Sequence, residues 1–480
     1  MSRVFSTRAL VGVSIAGLLV CQRLVEAHAT GRARVVLGYA VSLAFCAAIA
    51  ELGMPIRGAR QLKARAPNTR AIYASLYVLL TILLILSALS AQTAPFFVLR
   101  PLPPPIAPLV VLIGCWIAML CWIGRHGSSS TRLAVSLVGL VTATRLLVLW
   151  GWPFHRIDGD MLITIDRALD ELTSGRFPYI NYPPPMPYPP ETFLAYLIPK
   201  RLGLDLRYAN LVSDAVTVLA AVNLGRLAAL RHQTGNVAGA VSAPLLNQVL
   251  LPCFMLHPVW IHYSVNSHFS PCTLLAALLG FAVLQGNLTI QAVALGLALG
   301  SNQMFAACGP ILLAYWAGRG GPRRAAGLAA VAGSVLLIII APFLLWDPRR
   351  FIEIAFLSRS RFSDSLMAGR FTLLPIASRL IPHASLVGTT TALAAASLVA
   401  FRSRNPATVV SAMASGLCAA LLFQPVSFAH YYLPCIVLAS LVPTSTLADR
   451  TEPLSPGLAL PKSRMARSRP AGQPSTTWAR

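Results

Sequence analysis

Long apolar runs alternate with short polar ones along most of the chain. A helix that crosses a bilayer needs roughly 17–25 predominantly apolar residues. Runs of that length, or slightly shorter, cover residues 9–21, 35–52, 71–90, 106–124, 133–151, 209–229, 240–262, 269–286, 325–346, 384–401, 407–423 and 428–443. The run 289–317 is too long for one crossing and carries Asn302-Gln303 near its middle. It predicts two short helices meeting at a polar break. The whole pattern predicts an all-α polytopic membrane protein with about 14 transmembrane helices. Between Met161 and Leu172 apolar and charged positions alternate at helical spacing, which predicts a short amphipathic helix along the membrane surface.

Composition narrows this picture. Of 480 residues, 56% are hydrophobic and 11% charged, against about 25% charged in an average soluble chain. A soluble enzyme of this length needs more polar surface, and a disordered chain has far fewer apolar residues. The 39 Lys and Arg exceed the 15 Asp and Glu by 24 charges. The basic residues fall between apolar runs without interleaved aromatics, so they read as topology signals and contacts to membrane lipids, with no nucleic-acid partner. The nine Cys show no C-x-x-C spacing and support neither a zinc site nor a disulfide framework. The run 9–21 follows Arg3 and Arg8 as a leader would, and it reads here as a membrane segment.

Orientation follows from the short loops. The stretch 53–70 holds Arg57, Arg60, Lys63, Arg65 and Arg70 without an acid, which predicts a cytoplasmic loop. Parity then puts Arg125, Arg132, Arg226, Arg231, Arg319, Arg323, Arg324, Arg402 and Arg404 on that side. The basic tail 444–480, rich in Pro and Ser, also falls inside and is expected to be disordered. Two loops on the opposite, extracytoplasmic side stand apart. Loop 152–191 holds Asp158, Asp160, Asp166, Asp170, Glu171 and Glu191 against three arginines. Loop 347–370 holds Arg349, Arg350, Arg359, Arg361 and Arg370 against three acids, on the side where basic residues are normally depleted. A bound anion is the natural cause of that reversal.

Asp158 and Asp160 sit just before the amphipathic helix. Carboxylates there are favoured by capping geometry and the helix dipole, which is their ordinary explanation. Two carboxylates separated by one glycine can also converge on a divalent cation, Mg or Mn, though nothing demands one. One of them can instead take a proton from an acceptor hydroxyl. After the helix come Gly175-Arg176-Phe177-Pro178-Tyr179 and a Pro-rich run ending Tyr188-Pro189-Pro190.

This order resembles the first extracytoplasmic loop of the GT-C superfamily of integral-membrane glycosyltransferases, which take sugars from polyprenyl phosphates. The spacing from Asp158 and Asp160 through Asp166 and Ala168 to Gly175, Pro178 and Tyr179 is similar to the glycosylphosphatidylinositol mannosyltransferase branch and to bacterial polyprenol-phosphate-mannose-dependent mannosyltransferases. Further on, His257-Pro258, Asn266 and His268 resemble a helix end of that family. Gly300 to Pro310 resembles its glycine-then-polar break, and His430-Tyr431-Tyr432 a late aromatic cluster. The resemblance implies a catalytic membrane core over 131–443, preceded by additional N-terminal helices over 1–130. Five runs precede the acidic loop here where the family has one, and Asn302-Gln303 stands where bacterial members often carry Lys.

The residues themselves lead to the same class. There is no G-x-x-x-x-G-K-[ST] loop and no G-x-G-x-x-G fingerprint. The longest polar stretches, about 40 residues, are too short for a nucleotide-sugar domain. A transferase of this build therefore takes a lipid-linked donor, with arginine forks on its phosphate, and Arg359, Arg361 and Arg370 are the candidates. Their ordinary reading is pairing with Asp364, Glu353 or lipid headgroups. Asp160, or Asp158, is the expected base for an inverting transfer to a lipid, glycan or protein acceptor. His268, His430, Tyr431, Asn302, Gln303 and Tyr188 are the expected substrate contacts, although Tyr179, Tyr182, Tyr188, Trp152 and Trp260 read first as an interfacial aromatic belt. The absence of an H-E-x-x-H motif argues against zinc. The site is expected to face the extracytoplasmic side of a cell inner (plasma) membrane. The competing classes are a secondary transporter or lipid-linked-sugar flippase, and a non-catalytic envelope scaffold. The run interiors are nearly free of acids, Asp214 being an exception, which disfavours a transporter.

Overall fold

The computed structural model describes residues 138–139, 141–146, 149, 160–179, 186–233, 251, 255, 260, 267–357, 372–424 and 429–442. Among them every regular element is helical and there is no strand. Two stretches, Gln303–Trp346 and Ala384–Arg402, are long and apolar enough to cross a membrane, and Phe269–Gln285, Leu288–Ser301 and Pro406–Leu422 are shorter apolar helices. The crossings expected before residue 131 and the tail after 443 lie outside the described residues.

The amphipathic helix is present as α1 (Asp160–Thr173). Leu162, Ile165 and Leu169 recur at helical spacing and are fully buried, while Arg167 and Asp170 are exposed. The helix stops because Gly175 takes a left-handed conformation, φ 73°. That turn lets the Arg176 N–H donate to the Glu171 carbonyl at 2.8 Å and the Gly175 N–H to the Leu172 carbonyl at 3.1 Å. This double closure is the common way a glycine ends a helix. Two short helices, α2 (Glu191–Leu194) and α3 (Leu197–Arg201), then carry the chain to α4 (Arg207–Gln233).

The bundle continues with α5 (Phe269–Gln285) and α6 (Leu288–Ser301), joined at Gly286, φ 79°, and Asn287, whose side chain caps Thr289 and Ile290. The helix breaks at Asn302, as its polarity predicts. A 3-10 turn (Gln303–Ala307) follows and leads into α7 (Cys308–Trp346). Gly321, φ 79° and ψ 169°, divides α7 just before Pro322. The second half of α7 runs beside α6 in the same direction. A Cβ on Gly296 would meet the Ala332 carbonyl at 2.6 Å, and one on Gly300 would meet Ile339 at 2.7 Å. Then come α8 (Pro348–Ile352), a π-helical turn (Glu353–Leu357), α9 (Leu374–Leu380), α10 (Ala384–Arg402), α11 (Pro406–Leu422), a 3-10 turn (Ala429–Tyr432) and α12 (Leu433–Leu441).

Helix ends sort to two levels. Asn302, the Leu422 carbonyl with Thr372, and Tyr431 with Tyr188 belong to one, here the break end. The opposite end holds Gly286, Gly321 and the turn after Arg402, where the Gly318 Cα meets the Phe401 carbonyl too closely for any side chain. Most of the bundle core is apolar. Its one described charge pair is Arg145 with Asp214, at 2.7 Å, the two side chains 1% and 0% exposed. Arg145 also donates to the Met255 carbonyl at 2.6 Å, so one guanidinium ties three helical segments.

A buried pair broken on one side leaves an uncompensated charge. Asp214→Leu is therefore expected to cost about 3–5 kcal/mol of stability, with Arg145→Leu and Asp214→Leu together recovering most of it. Thermal unfolding of the purified single and double variants checks this. Equal loss in all three would show that the pair is not the cause.

Candidate functional site

At the break end, the segment after α1 is held by aromatic packing. The Tyr179 ring, fully buried, meets Phe351 at 5.0 Å, Phe193 at 5.7 Å and Phe343 at 5.9 Å, all edge-on. Edge-to-face contacts at these separations are favoured by ring quadrupoles. Phe343 belongs to α7 and Phe351 to α8, so the acidic loop and the start of the basic loop share one apolar cluster. The Tyr179 hydroxyl donates to the Tyr188 carbonyl at 2.9 Å, and the Tyr188 and Tyr431 hydroxyls lie 3.1 Å apart. The expected placement of Tyr179, Tyr188 and Trp260 in an interfacial belt is corrected here, because all three are at most 3% exposed. The two tyrosine hydroxyls find protein partners, which removes the main cost of burying them. Burial also raises the Tyr179 phenol well above its ordinary range.

The helix break is the centre of the site. Asn302 is extended, φ −152° and ψ 134°, and its Oδ1 accepts from the Met304 N–H at 3.1 Å. The Gln303 amide donates to the Pro187 carbonyl at 2.7 Å and to the Ala355 carbonyl at 2.6 Å. One side chain thus joins the acidic loop, the break and the π-helical turn of the basic loop. The Thr192 hydroxyl donates to the Ser301 carbonyl. The His268 ring lies 4.4 Å from Tyr188 and 4.6 Å from Phe269, which packs on Tyr431 at 5.0 Å. Five expected contacts, Tyr188, His268, Asn302, Gln303 and Tyr431, are therefore brought together.

Other expected site residues stand differently. Asp160 is the first residue of α1 rather than preceding it, and its side chain lies outside the described ones. Asp158, Arg359, Arg361, Arg370 and the His430 side chain also lie outside, and with them the metal and phosphate readings. Asp166 and Asp170 both pair with Lys200, at 2.6 and 2.7 Å. Desolvation opposes the Lys200 charge, but the hydrogen bonds and charges of these two acids outweigh it and raise the amine above its ordinary value. Those acids serve the α1–α3 contact.

Glu191 was not singled out by the sequence. It opens α2 directly after Tyr188-Pro189-Pro190. Its Oε2 is sealed from solvent and has no hydrogen-bond partner among the described residues. Burial pushes its carboxyl from 4.5 up to about 8. It carries its proton at neutral pH, and the only signal was a lone acid at the head of an apolar stretch.

Folded Glu191 titrates near 8 and unfolded near 4.5, so between these values the folded state holds the extra proton and stability falls as pH rises. Wild type is expected to lose stability from about pH 4.5 to pH 8, and Glu191→Gln to flatten that slope in unfolding measured across the range. An unchanged slope would remove the buried acid as its source. No family model, curated protein or solved structure matches the chain.

Proposed function

We propose that the chain is a multi-pass glycosyltransferase of the inner (plasma) membrane. It moves a sugar, mannose first among candidates, from a polyprenyl-phosphate donor to a lipid, glycan or protein acceptor at the extracytoplasmic face. The observation that carries this reading is the Gln303 amide, which bonds the acidic loop at Pro187 and the basic loop at Ala355. One residue of each loop, Pro187 and Ala355, is thereby tied to the same broken helix, which supports a site shared by the acids and the arginines. In the proposed step, Asp160 or Asp158 accepts the proton of the acceptor hydroxyl. The acceptor oxygen bonds to the anomeric carbon as its bond to the phosphate oxygen breaks, inverting that carbon. Polyprenyl phosphate leaves, its growing charge met by Arg359, Arg361 and Arg370. A divalent cation at Asp158 and Asp160 is compatible with this scheme and is not required by it.

Membranes containing the protein are expected to transfer labelled mannose from a polyprenyl-phosphate donor. Replacing a general base costs about 10²–10⁴ in rate, so Asp160→Ala or Asp158→Ala is expected to fall by that factor. Normal transfer in both variants would overturn the assignment. The buried Arg145–Asp214 pair favours a second reading, a transporter or lipid-linked-sugar flippase, because charges inside an apolar bundle often mark a transport path. Movement of lipid-linked sugar across reconstituted vesicles without a covalent product would select that reading.

A further inference from the structure

We infer that Glu191, Asn302 and Gln303 form a hydroxyl-binding recess that takes the uncharged hexose ring of the donor. The inference rests on the proposed donor and adds Glu191 as a specificity-determining contact. Three polar atoms at the break, Glu191 Oε2, Asn302 Nδ2 and Gln303 Oε1, are sealed from solvent and have no hydrogen-bond partner among the described residues. Asn302 is 0% exposed. The three belong to one place. Helix α2, which Glu191 opens, packs on α6, which ends at Ser301 beside Asn302. The Thr192 hydroxyl, next in sequence to Glu191, bonds the Ser301 carbonyl, next to Asn302.

Each orientation is fixed by what the rest of the side chain does. Asn302 uses Oδ1 to cap Met304, which leaves Nδ2 as a donor. Gln303 spends Nε2 on two carbonyls, which leaves Oε1 as an acceptor. A carboxyl held in its acid form both donates and accepts. A phosphate would call for donors alone and an ammonium for acceptors alone. A set with both, and no net charge, matches hydroxyl groups, which donate and accept at once. A buried donor left unpaired is costly, so a ligand that completes the set is favoured over one that lacks the hydroxyl.

The test uses the full protein in lipid nanodiscs and equilibrium binding of labelled farnesyl-phosphate mannose, with its 2-, 3-, 4- and 6-deoxy forms as competitors. Asn302→Asp keeps an oxygen to cap Met304 and puts a carboxyl oxygen in place of the free amide donor, and binding is read at a pH high enough to ionise that carboxyl. Wild type is expected to bind one deoxy form about tenfold more weakly than the parent. That gap closes in Asn302→Asp and Glu191→Ala and persists in Glu191→Gln. Deoxy forms that all bind wild type as well as the parent, or a gap that survives Asn302→Asp, would overturn the recess and leave the transferase reading standing. Failure of wild type to bind any form would overturn both.

Discussion

Stopping a helix inside an apolar bundle exposes backbone groups that water would otherwise satisfy, and α6 stops at Asn302 in such a place. The chain resolves this with its own side chains. Asn302 caps the following turn, and Thr192 takes the Ser301 carbonyl. Gln303 then uses its amide to satisfy carbonyls of two other segments, Pro187 and Ala355. Because buried polar backbone must be paired, the break fixes where the acidic loop and the π-helical turn sit. The geometry of the candidate site follows from that requirement more than from any single charge.

A second constraint works from the other side. The buried face of α1, together with Phe193, Phe343 and Phe351, surrounds Tyr179 and makes an apolar cluster separate from the bundle core. Gly175 turns the chain so that Tyr179 reaches that cluster. Asp166 and Asp170 of α1 then pair with Lys200, which ties α1 to α3. Deeper in the bundle, Arg145 and Asp214 pair where neither would tolerate being alone. Close approach of α6 to the second half of α7, allowed by glycines at 296 and 300, brings the end of α7 to the level of the break.

Periodicity and polarity made much of this legible. The amphipathic helix, the break at Asn302 and the turn among Arg319, Arg323 and Arg324 are local features, so the sequence carries them without reference to distant residues. Burial of Tyr179 and Tyr188 was not legible, because a tyrosine that anchors at an interface and one that packs inside look identical until its neighbours are known. Glu191 escaped for a related reason. A lone glutamate beside prolines reads as a loop acid, and only the folded surroundings seal its Oε2 from water. Arg145 and Asp214 are 69 residues apart, too far for any local pattern to join them.

Loop 152–191 and loop 347–370, linked through Gln303 at Pro187 and Ala355, are proposed to share one site beside the break. Short-reagent cross-linking of Asp160→Cys with Arg361→Cys, in a chain freed of its nine native cysteines, tests it most directly. Phe177→Cys with Trp346→Cys provides the control, their rings lying 5.7 Å apart. Efficient cross-linking of both pairs in native membranes is the expected result. A control pair that joins while the 160–361 pair never does would contradict the shared site and the transfer chemistry built on it.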